Sequence, residues 1–504
     1  MKIQIMPRLF IILMSLPALL GADECCPLVL PQHQVTLPEA HRGTLEIDTL
    51  LLDSYGKLPE ARRNFYLTAR KILEKNPEAT LSHPDIIKAA SKPELPLMSG
   101  PMLGDLRPDG VTVWFRSARP EKLRIRVSRV DTAETKNFPV PVSTPGVAMR
   151  VPLSGLEADT NYKYQLIDPE ASVLGEGFFQ TAPNPGSRKN LRVAFGSCMH
   201  KIGFHNPNLM QQITKRGNQA MLLLGDLAVD DREAKLSLHT ADYLLRDVSK
   251  AWRKFSASMP IYASWDDHDY LNNDKSGLQK GQITDEQRNG MRAVWQENWN
   301  NPPTPVQDRG IYFSTRIGDV ELIMLDTRSC RDWEQRGELN SYLGETQMEW
   351  LFKTLEASEA KFIILTSGTM WSDFMSNAKD SWGTWDIPGR EAIFNFIESK
   401  GIDGVVLLSG DRHGARGFRI ERPTGYSFYE FEVATLGTDR GPRAFAPDES
   451  TQFYGYKGGL IAFGELTFEM ERDEPQVVFR LIVEDGSVIE EHTVSLAELT
   501  PKKE

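Results

Sequence analysis

The chain has 504 residues, 40% hydrophobic and 25% charged, with a formal net charge of -11. That length allows more than one hydrophobic core, and the composition is globular rather than disordered or repetitive. The acidic balance argues against nucleic acid as a stable partner, because backbone phosphates need a basic surface. It leaves a small anionic substrate open, since a bound cation overrides global charge locally.

At the N-terminus, Lys2 and Arg8 flank the start of an apolar run over residues 9–20, too short to span a bilayer, and Leu20-Gly-Ala22 offers small residues for cleavage. Residues 1–22 therefore read as an export signal, with the mature chain in the periplasm, on the cell surface or secreted. No later stretch is apolar enough for a transmembrane segment. There are four cysteines, at positions 25, 26, 198 and 330. The adjacent pair Cys25 and Cys26 is ill suited to bridge itself, so no disulfide framework is assigned. Ser329 and Arg331 read as an exposed loop, which predicts an accessible thiol at Cys330.

Residues 23–95 form an N-terminal extension. Phe65, Leu67, Ile72 and Leu73 recur at helical spacing and predict one amphipathic helix over residues 58–75. Pro77, Pro84, Pro93 and Pro96 then divide the chain into short pieces, and no chemistry is visible there. Residues 96–187 change character. Apolar and polar residues alternate over 111–115, 123–127 and 162–166, which predicts a small antiparallel β-sandwich. Leu153-Ser-Gly-Leu156, Asp159-Thr-Asn-Tyr162 and Phe178-Phe-Gln-Thr-Ala182 resemble the closing half of a fibronectin type III-like module, with a linker over 183–189.

Residues 188–504 alternate buried strands with helices, the habit of an α/β domain. Strands are predicted at 191–195, 221–224, 261–264, 321–325, 362–366 and 405–408, helices at 346–357 and 389–399, and further strands from 428 onward. Five of these strands run into polar motifs: Gly196-Ser-Cys198, Gly225-Asp226, Trp265-Asp-Asp-His-Asp269, Thr366-Ser-Gly-Thr369 and Ser409-Gly-Asp-Arg-His413. Ligands in α/β sheets collect at the carboxyl ends of strands. Singly, each motif is ordinary: an aspartate after a strand often only caps a helix, and a buried cysteine often only packs. The run Asp266-Asp267-His268-Asp269 is different, because clustered carboxylates repel unless a cation neutralises them. Together the motifs fit a two-metal hydrolase, in which cations about 3.5–4 Å apart bind a phosphoryl group and lower the pKa of a water. Asp226 is the natural bridging carboxylate. The Cys198 thiolate favours a softer ion and the carboxylates a harder one, so two unlike metals are expected. His268, beside a ligand, is placed to donate a proton to substrate.

From residue 101 onward the sequence resembles the PhoD-type alkaline phosphatases of the calcineurin-like metallophosphoesterases. The motifs stand in family order: Phe195-Gly-Ser-Cys198, Leu224-Gly-Asp226, Trp265-Asp-Asp-His-Asp269 with Asn273, Leu325-Asp-Thr-Arg328, Asp380-Ser-Trp-Gly383 and Leu408-Ser-Gly-Asp-Arg-His413. The resemblance implies a four-layer α/β sandwich, two mixed sheets flanked by helices, and a site holding iron and calcium; zinc or manganese are the other ions considered. Carried over, Cys198, Asp411 and His413 would hold the iron, Asp226 would bridge, and Asp267 and Asn273 would serve the second ion. His268 would act on the leaving oxygen, and Arg328 would contact phosphate or support the structure. The family's iron-ligating tyrosine, three residues after the bridging aspartate, is here Val229; Asp230 and Asp231 are the candidate substitutes. The substrate is expected to be a phosphomonoester or phosphodiester, with Trp371, Trp382 and Trp385 either lining the mouth or packing the core. The contrasting reading is a non-catalytic, metal-stabilised surface or adhesion protein.

Overall fold

A computed structural model describes residues 27–278, 281–306, 310–372, 380–437, 440–446 and 451–502. The export signal and the Cys25–Cys26 pair lie outside them. Four helices make up the extension: Leu37–Arg42, Leu45–Leu52, Glu60–Lys75 and Pro84–Ala90. The longest is the amphipathic one, burying Phe65, Tyr66, Ala69 and Leu73. This face packs with Ala241, Leu244, Leu245 and Val248 of helix Leu236–Val248 in one apolar cluster. Buried ion pairing fastens the extension further: Arg70 Nε donates to Asp48 at 3.0 Å, and the Tyr66 hydroxyl donates to the same carboxylate at 2.8 Å.

The all-β segment consists of a three-stranded sheet, ordered Ser99–Arg107, Gly110–Arg116, Ala148–Leu153, and a four-stranded one, ordered Thr135–Pro139, Arg124–Arg129, Asn161–Ile167, Val173–Gln180. All neighbours are antiparallel. Strict alternation puts Ile125 and Val127 inward and their arginine neighbours outward.

Two larger mixed sheets follow. The six-stranded one runs Ile261–Ser264, Ala220–Leu224, Leu191–Gly196, Ala462–Glu469, Gln476–Val483, Val488–Ser495. The seven-stranded one runs Phe313–Ile317, Val320–Met324, Phe362–Thr366, Val405–Ser409, Ser427–Ala434, Gly414–Glu421, Gln452–Lys457. The strands predicted before each polar motif are parallel neighbours within these sheets. They are apolar throughout because both faces are covered. The sheets share one core, in which Phe431 stacks on Phe479 at 4.5 Å and Phe362 meets Phe468 at 5.2 Å. Helices cover the outer faces: Pro207–Lys215 and Lys250–Ser256 against the first sheet, Glu345–Ala357 and Ile387–Lys400 against the second. No helix among the described residues is long and apolar enough to cross a membrane.

Candidate metal centre

Parallel strands from both sheets end side by side, so their following loops converge. Gly225 (φ +113°) makes this possible: a Cβ there would lie 2.4 Å from Cβ of Asp266. Gly410 likewise leaves no room, with Ser197 Oγ 2.3 Å from its Cβ position. Cys198, Asp226, Asp411 and His413 all have positive φ, between +35° and +74°. L residues adopt such φ at a cost, and that strain clusters at functional sites. Backbone bonds hold the loops together: Cys198 N–H donates to the Gly225 carbonyl at 3.0 Å, and Ser197 N–H to Val433 of the other sheet at 2.8 Å.

Donor atoms of Cys198, His200, Asp226 and His413 lie within 4.8 Å of one another, as do those of Asp226, Asp266, Asp267 and Asp411. Asp226 belongs to both sets, the geometry a bridging ligand requires. Asn273, exposed, lies at the rim of a 380 Å³ cleft shared with Asp226, His268, Asp411, Arg412, His413 and Arg440.

Charge crowding dominates the electrostatics. Burial, then the neighbouring Asp267 carboxylate, pushes Asp226 well above the usual carboxylate range. Burial and the Asp266 and Asp267 carboxylates do the same to Asp411. The Cys198 thiol is raised by burial and by Asp226, to which its Sγ donates at 3.5 Å. Asp226 Oδ1, Asp266 Oδ2 and Asp411 Oδ2 are buried with no hydrogen-bond partner. Such orphans are costly and call for a compensating cation. The donor set, carboxylates with a thiol and imidazoles, fits metal ions on this ground.

His268 is held differently. Burial alone would strip its proton, but the carboxylates of Asp267, Asp226 and Asp231 outweigh burial and hold the imidazole well above its ordinary pKa. Its Nδ1 bonds Asp231 Oδ1 at 2.7 Å, which leaves Nε2 for the cleft. Asp267 is held well below the usual range; burial opposes this, but Arg328 and His268 prevail. Asp267 also accepts from the Asp274 N–H at 2.6 Å. The fourth member of the run, Asp269, is structural: both its oxygens accept from Leu227 N–H, at 3.0 and 3.1 Å.

Several expectations need correction. Arg328 is fully buried and not among the residues lining the cleft; it bonds Asp266 and Asp380 and lies 3.8 Å from Asp267. It neutralises the carboxylates from behind, so the supporting role, not the phosphate contact, matches its position. Arg412 and Arg440 are the cations at the cleft. Val229 is enclosed in the helix-side core. Asp230 and Asp231, the suggested substitutes, are taken by His200 and His268. Trp371, Trp382 and Trp385 are buried core residues, with Trp371 stacked on Trp382 at 5.0 Å. Ser329 and Arg331 are buried, not looped into solvent, because Ser329 Oγ donates to Asp326 and Arg331 to Asp380 and Thr327. Burial raises the Cys330 thiol to about 11, and it forms no disulfide among the described residues.

Two site residues escaped the sequence reading. His200 follows Cys198 by two positions; the spacing Cys198-Met-His200 was the available signal. His41 comes from helix Leu37–Arg42 of the extension. Its ring stacks on His268 at 4.4 Å and lies 3.7 Å from Asp231 and 3.8 Å from Asp230. No local signal marks it. The helix carrying it ends at Gly43, whose carbonyl accepts from Arg70 at 3.1 Å and Arg232 at 3.0 Å.

Residues 214–456 match the family model described as PhoD-like phosphatase. Alkaline phosphatase D of Bacillus subtilis (strain 168) is 25% identical over 383 residues, covering 64% of this chain and 65% of its own length. The chain thus spans somewhat less than two thirds of that relative. A solved structure of PhoD superposes with a TM-score of 0.63 at 18% identity, covering 79% of this chain and 89% of that one. A purple acid phosphatase from yellow lupin (Lupinus luteus) seeds gives 0.57 at 16%, covering 79% and 74%. At these identities the two structures speak to fold alone. Over residues 214–456 the chain is thus similar to the PhoD-like phosphatases, and it shares the fold of the solved PhoD structure.

Proposed function

We propose that the chain is an exported, metal-dependent phosphoester hydrolase acting on small phosphomonoesters or phosphodiesters. One observation carries this reading: partnerless buried oxygens of Asp226 and Asp411 stand at the same cleft as an imidazole whose proton is retained, His268. Cations bound there would neutralise phosphoryl oxygens and lower the pKa of a water. Asp226, Asp267, Asp411, Cys198, His413 and Asn273 are the residues assigned to hold them. The Asp266, Asp267 and Asp411 side suits a hard ion of the calcium class. His268, fixed by Asp231 through Nδ1, would hand its Nε2 proton to the leaving oxygen. Arg412 and Arg440 would orient the substrate anion.

Export rests on the basic and apolar pattern of residues 1–22, and the fibronectin type III-like reading of the β-segment on its two antiparallel sheets. The test is metal analysis with hydrolysis of a chromogenic phosphomonoester and phosphodiester on one sample. His268→Asn should lower turnover by about 10²–10⁴-fold with metal retained. Unchanged turnover would remove His268 from the mechanism, and bound metal without turnover of either ester by the unmutated protein would favour the non-catalytic reading.

A further inference from the structure

We propose that His200 is a metal ligand filling the coordination position that Val229 leaves empty, so that Cys198, His200, Asp226 and His413 form a thiolate, bis-imidazole and carboxylate site for a borderline divalent ion of the zinc class. The inference deepens the metallophosphoesterase reading by naming the ion at its thiolate side.

Val229 offers only a buried alkyl group. The next two residues are acidic but engaged. Asp230 Oδ1 bonds His200 Nδ1 at 2.8 Å and its Oδ2 accepts from Lys201 N–H at 3.3 Å, while Asp231 binds His268. A phenol or a carboxylate from that loop is therefore not what completes the site. His200 is. Its side chain is fully buried, and Nε2 has no hydrogen-bond partner. With Nδ1 directed at the Asp230 carboxylate, the proton belongs on Nδ1 and the lone pair on Nε2. This is the carboxylate–histidine–metal arrangement, in which the outer carboxylate fixes the tautomer and raises the ligand's basicity.

The backbone is bent to deliver this ring. His200 has φ +46°, and its N–H donates to the carbonyl of Asp226, the bridging residue itself, at 2.8 Å. The turn 198–200 is thus bonded to the loop that carries the shared ligand. The His200 and His413 rings meet edge-on at 5.9 Å. All four donors lie within 4.8 Å of one another. In a tetrahedral zinc site, bond lengths of about 2.0–2.3 Å put donors roughly 3.3–3.8 Å apart, so a small side-chain closure completes the set. One sulfur with two imidazoles selects zinc-class ions over hard ones.

The full chain, stripped with chelator, is titrated with Co²⁺ and Zn²⁺ and followed by absorption. Expected is one tight site with a thiolate-to-cobalt charge-transfer band and intense tetrahedral visible bands, both abolished by Zn²⁺. His200→Gln, which keeps volume and polarity, should lower Zn²⁺ affinity at least 100-fold and weaken the visible bands. Asp230→Asn, which leaves all four donors in place, should lower it by about 10–100-fold. Circular dichroism confirms that each variant is folded. Unchanged Zn²⁺ affinity and cobalt spectrum in His200→Gln would overturn the proposal, as would a wild-type cobalt complex without the thiolate band. Cobalt and zinc binding as expected, with no ester hydrolysed, would sustain it while refuting the hydrolase reading.

Discussion

Replacing Arg328 with methionine separates the two roles its motif admits. The guanidinium is 0% exposed; Nε meets Asp266, Nη1 meets Asp380, and Nη2 lies 3.8 Å from Asp267. Methionine keeps much of the volume but removes a cation that faces three buried carboxylates at once. Breaking a buried pair from one side costs about 3–5 kcal/mol. Arg331 still bonds Asp380 at 2.6 Å, which puts the loss near the lower end, about 3 kcal/mol. For a domain of roughly 300 residues, that corresponds to a melting temperature lowered by about 4–5 °C. Arg328→Lys keeps the charge without the planar fork and should fall between. Differential scanning calorimetry on metal-loaded protein reads the shift. If Arg328→Met melts within a degree or two of wild type yet loses turnover, the guanidinium acts on substrate and the buried-support account fails.

Three further outcomes are expected. His41→Ala, which removes the ring over His268, should reduce kcat by between about tenfold and a hundredfold at unchanged metal content, the scale of a small misorientation; steady-state kinetics with wild-type kcat would reduce the extension to packing. Arg412→Ala should raise KM about tenfold with little change in kcat, because it removes a charged hydrogen bond made to bound substrate throughout; an unmoved KM counts against a substrate contact. Burial lowers the His205 imidazole to about 4 from 6.5. The unfolded chain therefore takes up the proton first: the stabilisation is intact above about pH 6.5 and lost as pH falls to about 4. About 2.5 units at 1.36 kcal/mol each is a loss near 3 kcal/mol. His205→Leu should flatten that part of the melting profile, and parallel profiles for the two proteins would refute it.

The strands before each motif were legible because they are short, apolar and sharply bounded, and their boundaries fall within a residue or so of those observed, as at 221–224 against Ala220–Leu224. Chemistry written at strand ends is local, so Cys198, Asp226, Asp267, His268, Asp411 and His413 could be found together. What depends on distance was not legible. Three of the four helices in the extension have six to eight residues, about two turns each, too few to establish a period. His41 acts on a loop some 190 positions later, and no spacing encodes that. Arg328 stayed open for the opposite reason: its motif is clear, but whether a guanidinium faces substrate or the carboxylates behind it is a matter of burial, which a tetrapeptide does not carry.

The grip of Arg70 and Arg232 on the Gly43 carbonyl has a consequence for how the molecule is made. Gly43 and Arg232 are separated by 189 residues. The helix carrying His41 therefore leaves the ribosome long before the loop that clamps it exists. Contacts so remote in sequence close late, because loop entropy must be overcome first. Until helix Leu236–Val248 is made, the extension has its own Asp48, Tyr66 and Arg70 cluster, but part of its apolar face waits uncovered. A chain trimmed to begin near residue 96 would keep the strands of all four sheets but lose the His41 ring stacked on His268.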